Sequence, residues 1–293
     1  SKPSKIDQLI MDSLGLQYPI FALLLVGVTA SANHSSFLTD EDYQLCRDTD
    51  WKGLLNQWIE EDQDHKIYVD RLEATYFGPH LKSKDGGVLW PNGIIPYEIQ
   101  DGFTPKDRAG IACAMAYMER NTCLRFKPDT DQESLPKLIF VPEKWGGFCQ
   151  TFWRTNGPGS TLVKLHLATD SVCTFGRTLI HEMVHGLSGA PTQTRYDRDA
   201  HVEILWDNVL EDKKNQFKIC NGLCDFNKAF PYDCDSIMHY AKNQMAIDRT
   251  KPTIRPKDGS KCNLLDLHQW QVHQPYLSSV DVEMIQEIYG NFC

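Results

Sequence analysis

The sequence has no long hydrophobic run except one near its start. That run, Ile20–Val28, spans nine apolar residues, too few to cross a bilayer as a helix. No later stretch is long and apolar enough either, so the mature chain is expected to be soluble, with no membrane partner. Positive charge is also scarce, with a formal net charge of −9. That balance argues against nucleic acid or an anionic membrane as the main partner. Internal repeats and low-complexity tracts are absent, so nothing points to a solenoid or a polar linker chain. The ten cysteines do not gather in CxxC pairs. An even, scattered set suggests disulfides formed in an oxidising compartment.

What is present is ordinary globular material, 41% hydrophobic and 24% charged, enough for one or two domains. The apolar run is followed by Ala30-Ser31-Ala32, a small-x-small cleavage site. Together they read as a signal peptide over residues 1–32, cut after Ala32, and so as a secreted, extracellular protein. Met11 reads as the true start, which makes residues 1–10 an upstream addition or an extended n-region. Asn33-His34-Ser35 is the only N-glycosylation sequon and falls at the new N-terminus.

Residues 33–86 read as a polar, charge-rich appended segment. Within it, Trp51 to Ile59 has apolar residues at helical spacing. Glu60 to Asp64 is a solvated acidic run, and Lys82 to Gly87 is a basic, cleavable junction. From Val88 the texture changes, and residues 87–293 read as the main domain. Ile94–Ile99, Lys137–Val141 and Thr161–Leu167 read as strands. Gly146 to Cys149 opens a turn. Thr104-Pro105 begins a helix with a cap residue and a first-turn proline, and Ile111, Ala114, Met115 and Met118 then recur on one face to about Glu119. A helix runs from Phe175 to about Leu187, loops follow, and a last helix covers Ser279 to about Tyr289.

His181-Glu182-Met183-Val184-His185 is an HExxH motif. Four residues make about one helical turn, so both imidazoles leave one face with Cβ atoms about 5–6 Å apart. That suits two ligands of one Zn²⁺, with Glu182 placed to accept a proton from a metal-bound water and pass it to a leaving amine.

The continuation to Asp199, His-Glu-Met-Val-His-Gly-Leu-Ser-Gly-Ala-Pro-Thr-Gln-Thr-Arg-Tyr-Asp-Arg-Asp, resembles the astacin signature HExxHxxGxxHExxRxDRD without insertion or deletion. Ser236-Ile-Met-His-Tyr240 looks like the astacin Met-turn. Leu89 to Tyr97 resembles the start of the mature family domain, and Asn121-Thr-Cys123 and Tyr289-Gly-Asn-Phe-Cys293 match its first and last cysteine segments. The resemblance implies an α/β, two-lobed metzincin-like fold: a twisted, mostly parallel sheet, an active-site helix and a loop-rich C-terminal lobe. It implies a monomeric zinc endopeptidase made as a zymogen. Its cleft would take an extended peptide or protein substrate along an edge strand near Gln150–Asn156. By resemblance His181 and His185 bind zinc, Glu182 is the catalytic acid/base, Tyr240 touches the metal or its water and stabilises the oxyanion, and Met238 floors the site. The family disulfides map to Cys123–Cys293 and Cys149–Cys173. Cys46, Cys113, Cys220, Cys224, Cys234 and Cys262 stay unassigned, with two of Cys220, Cys224 and Cys234 close enough in sequence to pair. No EGF-like or CUB-like extension is read after residue 293.

The pattern breaks at the metal. The family's third zinc ligand is a histidine, and its position here is Pro191, which has no lone pair to offer. The family glycine before it is Ser188, although Gly189 could take the left-handed turn. The next family glutamate is Thr192. In the appended segment the family aspartate of an FxGD-like stretch falls at Pro79, after Tyr76-Phe77-Gly78. A sequencing error or recent allele accounts for Pro191 alone but not for Thr192 and Pro79. Substitute ligands are Tyr240, His201 or a water, with His80 a cap from the appended segment. Two readings stand: a zinc endopeptidase with weakened metal binding and reduced activity, or a pseudoprotease that holds peptides without cutting them.

Overall fold

Local chemistry sets the longest helix. Thr104, in extended backbone, accepts from the Asp107 N–H, while the Asp107 carboxylate accepts from the Thr104 N–H, a capping box with Pro105 at the first turn. The helix then runs Pro105–Asn121 and buries Ile111, Met115 and Met118 on the expected face. This computed structural model describes residues 36–61, 68–69, 90–130, 136–143, 148–155, 161–187, 189–220, 229–273 and 275–289. The signal peptide, the Asn33 sequon, Tyr76–His80, the Lys82–Gly87 junction, Gly146, Asn156, Ser188, Cys224 and Cys293 lie outside them.

The described elements, in chain order, are α1 (Asp40–Asp48), α2 (Trp51–Glu61), β1 (Tyr68–Val69), β2 (Ile94–Ile99), α3 (Pro105–Asn121), β3 (Arg125–Pro128), β4 (Lys137–Glu143), β5 (Phe148–Thr155), β6 (Thr161–Ala168), α4 (Gly176–Gly186), β7 (Val202–Ile204), β8 (Ile254–Pro256), α5 (Leu267–Val272) and α6 (Ser279–Tyr289). The three expected strands, the active-site helix and the last helix all form. Two readings change. Phe148 and Cys149 already belong to a strand rather than a turn. The charge-rich appended segment holds not only the helix at Trp51 but also α1, opened by a Thr39–Asp42 capping box.

Six strands form one sheet in the order β1-β5-β6-β4-β2-β3. Every described pairing in it is parallel except β5 with β6. Alternation along β2 buries Ile95, Tyr97 and Ile99, and along β6 it buries Val163, Leu165 and Leu167. These residues share one core with Ile111, Met115 and Met118 of α3 and Leu179, Ile180 and Met183 of α4. Apolar side chains matched to the pleat and to the helix repeat therefore clamp α4 against the sheet. Beyond α4 the chain turns to 3-10 segments and the two-stranded pair β7–β8. A second core forms there from Val202, Ile204, Phe217, Tyr240 and Ile254. The result is the α/β, mostly parallel architecture expected, with a loop-rich C-terminal part. Ser35–Cys293 form one compact unit.

Cys149–Cys173 forms as expected and ties β5 to the approach to α4, with Cα atoms 5.3 Å apart. Cys123 is disulfide-bonded, but its expected partner Cys293 lies outside the described residues. Among the described residues, two bonds left unassigned from sequence form, Cys46–Cys113 and Cys234–Cys262, and Cys220 is disulfide-bonded as well. Cys234 thus pairs well away in sequence rather than with Cys220 or Cys224. Among the described residues, no helix is long and apolar enough to cross a membrane.

Candidate active site

Helix α4 starts at Gly176, whose φ of +62° suits a residue without Cβ. All of its residues are buried, so its histidines and glutamate are held inside protein rather than on a solvated face. The His181 and His185 ring centroids lie 4.6 Å apart with planes at 85°. His181 Nδ1 lies 2.7 Å from the Ile237 carbonyl oxygen, and His185 Nδ1 lies 2.8 Å from that of Gly189. A carbonyl only accepts, so each Nδ1 carries a proton, and the neutral form of such a ring has its lone pair on Nε2. Backbone-oriented rings of one tautomer are what a metal-ligating histidine needs.

Glu182 is fully buried. The Thr151 hydroxyl of β5 lies 2.8 Å from both the Glu182 carbonyl and its Oε2. With one proton it donates to either oxygen in turn. This strand residue ties the sheet to α4 at Glu182.

The Met-turn supplies the carbonyl that holds His181, and it is clamped from two helices. Arg177, in the first turn of α4, donates to the Ser236 and Asp235 carbonyls, each at 3.1 Å, and to Tyr276 O at 2.9 Å. Its guanidinium sits 4.8 Å from the Trp270 ring centroid, and Trp270 meets His181 edge-on at 5.8 Å. Burial lowers the Arg177 pKa to about 10, against the pull of Asp281 and Asp235, so it stays charged at neutral pH. From α6, Asp281 accepts from the Ser236 hydroxyl at 2.7 Å and the Ile237 N–H at 2.8 Å. Burial raises the Asp281 pKa, and these hydrogen bonds oppose the shift. Met238 is 1% exposed within the main core.

Tyr240 closes the Met-turn and faces the second core. Its hydroxyl donates to Gln216 Oε1 at 3.1 Å, and its ring meets Phe217 edge-on. The structure thus brings His181, Glu182 and His185 together and rests the Tyr240 hydroxyl on Gln216. His201 lies flat against Tyr232, with centroids 4.5 Å apart and planes at 6°. The Tyr232 hydroxyl donates to His239 Nε2 at 2.9 Å, and His239 Nδ1 donates to Tyr240 O at 2.8 Å. Burial lowers the His239 pKa to about 4, which keeps its Nε2 an acceptor.

Position 191 is a buried proline at φ −59°, ψ 128°. Its neighbours still hold the loop against the Met-turn: the Thr192 N–H donates to Met238 O at 3.0 Å, and the Tyr240 N–H to Gln193 Oε1 at 3.3 Å. What Gly189 permits is close approach. A Cβ would lie 2.6 Å from Val184 Cγ1 and 2.9 Å from Val184 O. Among the described residues, no three His, Cys, Asp or Glu side chains are grouped to hold a metal ion. The His181 and His185 rings could each offer Nε2 to a metal, whereas the Pro191 side chain has no donor atom.

Sequence reasoning missed Thr151, Arg177, Trp270 and Asp281. A charged residue inside the apolar run leading to His181 was the available signal for Arg177. Ser278-x-x-Asp281 signalled a helix cap, and the same carboxylate also caps the Met-turn.

Comparison with known proteins agrees with this geometry. Residues 82–290 match the family model described as Astacin, a peptidase family. Zinc metalloproteinase nas-7 of Caenorhabditis elegans is 34% identical over 209 residues, covering 69% of this chain and 48% of that protein. Bone morphogenetic protein 1 of Xenopus laevis is 30% identical over 213 residues, covering 70% and 29%. The chain therefore spans about half or less of the length of these curated relatives. Among solved structures, high choriolytic enzyme 1, a hatching enzyme zinc-protease from the medaka Oryzias latipes, aligns with a TM-score of 0.57 at 25% identity, covering 69% of this chain and 94% of that one. With the HExxH helix, the Met-turn and the family span all in place, this chain is a member of the astacin family.

Proposed function

We propose that the chain is a secreted, zinc-dependent endopeptidase that hydrolyses peptide bonds in proteins, made with an N-terminal pro-segment and working with reduced activity because Pro191 replaces a ligand. The observation that carries this reading is the pair of imidazoles whose Nδ1–H groups are fixed on Ile237 O and Gly189 O, beside a buried carboxylate. His181 and His185 would hold the zinc through Nε2. Bound zinc would supply a Lewis acid and a water with a pKa of about 7.

The chain's own groups do the rest. Glu182 takes a proton from the attacking water and delivers it to the leaving nitrogen. Thr151 keeps the carboxylate aimed by its hydrogen bond. The Ile237 and Gly189 carbonyls keep both rings in one tautomer. An extended peptide would pair with β5 beyond Cys149, past the described pairs Tyr68–Phe148 and Val69–Cys149. Strand addition would supply backbone hydrogen bonds without demanding a particular sequence.

Pro191 supports a second reading, a pseudoprotease that binds a peptide or protein partner without cutting it. Elemental analysis of the purified protein, with a general protein-cleavage assay, separates the two. Near-stoichiometric zinc, with activity lost on chelation, supports the enzyme. Metal-free protein that still binds extended peptides supports the pseudoprotease. Activity untouched by chelators would reject both.

A further inference from the structure

The N-terminal segment is bonded to the domain in a way that a detachable leader would not need. Cys46 of α1 is disulfide-bonded to Cys113 of α3. Around that bond, Asp42 of α1 forms a two-pronged pair with Arg108 of α3, Oδ1 at 3.2 Å from Nε and Oδ2 at 2.9 Å from an Nη. Both side chains are at most 10% exposed. Arg108 also donates to the Phe37 carbonyl. The Ile99 N–H of β2 donates to Ser36 O at 2.8 Å. Trp51, which opens α2, stacks on Phe175 at 4.2 Å with planes at 12°, and Phe175 is the residue before α4.

This surface is not self-sufficient. Removing residues 36–61 would expose a buried guanidinium, a strand N–H and an aromatic ring together. A surface meant to be bared on maturation would be polar and internally satisfied. The family match begins at residue 82, so this interface lies between the matched domain and a segment the match does not cover.

We infer that the face made by α3, Phe175 and the end of β2 is an interface whose permanent occupant is this chain's own Ser36–Glu61, retained through Cys46–Cys113 when the chain is cut between Glu61 and Trp90. The cut adds one water across one peptide bond, leaving a carboxylate and a new amino group. The disulfide is untouched, and the product is two chains joined by one S–S bond. The strand Tyr68–Val69 lies on the N-terminal side of any cut after Val69. It would then stay tethered beside β5 at an effective concentration on the order of millimolar, instead of diluting away. Release of that strand would need a second cut between Cys46 and Tyr68, or reduction of the tether. Retention rests on the proposed function only in treating residues 33–86 as a pro-segment. Its test reads covalent linkage, so an inactive protein would not count against it.

The purified full chain is nicked briefly with trypsin, whose sites between Glu61 and Trp90 are Lys66, Arg71, Lys82 and Lys84, and the new amino terminus is read by mass spectrometry. On a non-reducing denaturing gel the nicked protein should run as one species, and dithiothreitol should divide it into two fragments. Loss of the N-terminal fragment without reductant overturns the inference. A Cys46→Ser/Cys113→Ser variant tests the interface itself. Once nicked and diluted to nanomolar concentration it should shed the fragment, and its thermal midpoint should fall by about 4 °C or more below that of the uncut variant. Equal midpoints for cut and uncut variant would show that the segment is not part of the folded unit.

Discussion

Helix α4 and the loop that follows it, Gly189–Thr194, come from the same signature, yet they hold on to different things. The helix carries two imidazoles and one carboxylate, each with a partner. The loop carries at 191 a proline, whose side chain has no donor for a metal. Its path is held by the Thr192 N–H on Met238 O, the Gly189 N–H on Val184 O at 2.9 Å and the Gln193 side chain on the Tyr240 N–H, and none of these bonds involves the side chain at 191. A side chain that takes no part in holding the loop can change without changing the loop's route, and the buried Pro191 sits at such a position.

The largest expected effect comes from restoring the loop's chemistry. Pro191→His should raise zinc affinity by more than about a hundred-fold, because a direct ligand matters more than the 10–100-fold typical of outer-shell partners. A competition titration against a calibrated chelator measures this. Any peptidase activity gained should vanish in a Pro191→His/Glu182→Ala protein. Unchanged zinc affinity would mean that the loop's route has drifted as well as its ligand, and the contrast with α4 would fail.

Next comes the clamp shared by helix and Met-turn. Arg177→Met leaves the Ser236, Asp235 and Tyr276 carbonyls without their charged donor. Unfolding in urea should show a loss of about 2–3 kcal/mol, the scale of hydrogen bonds to a charged group. The loop's counterpart is Gly189→Ala, whose Cβ would press on Val184 at 2.6 Å. Overpacking of that kind should cost about 1–2 kcal/mol, since the Val184 side chain can shift but its carbonyl cannot. A loss at Gly189 greater than at Arg177 would reverse the ranking of the two regions as anchors.

How much was legible follows the same division. Signals that act along the chain could be read: the Thr104-Pro105 helix start, the alternation of β2 and β6, the HExxH spacing. Signals that act across space could not. Asp281 reaches the Met-turn from 44 residues away, and nothing in either segment names the other. The α1 capping box at Thr39 was present in the sequence, but a charge-rich segment masked it, because α1 gains its burial only by docking on α3. Cys46–Cys113, 67 residues apart, needs that docking to be known. Tyr240 was identified by its place in the Met-turn, while the position of its hydroxyl depends on Gln216, a residue with no motif of its own.

The smallest expected effect bears on how α4 is held to the sheet. Thr151→Val keeps the shape of the strand side chain and removes the hydroxyl that serves both the Glu182 carbonyl and its carboxylate. Loss of one neutral-to-charged hydrogen bond in a buried site, partly offset by the surviving packing, should cost about 1 kcal/mol. Stability alone cannot say which of the two oxygens the hydroxyl serves. A double-mutant cycle with Glu182→Ala can, because the backbone carbonyl survives that substitution and the carboxylate does not. Coupling near the full cost of Thr151→Val would assign the hydroxyl to the carboxylate, making Thr151 a residue that orients Glu182. Coupling near zero would assign it to the backbone, and the carboxylate would then owe its position to the helix rather than to the sheet.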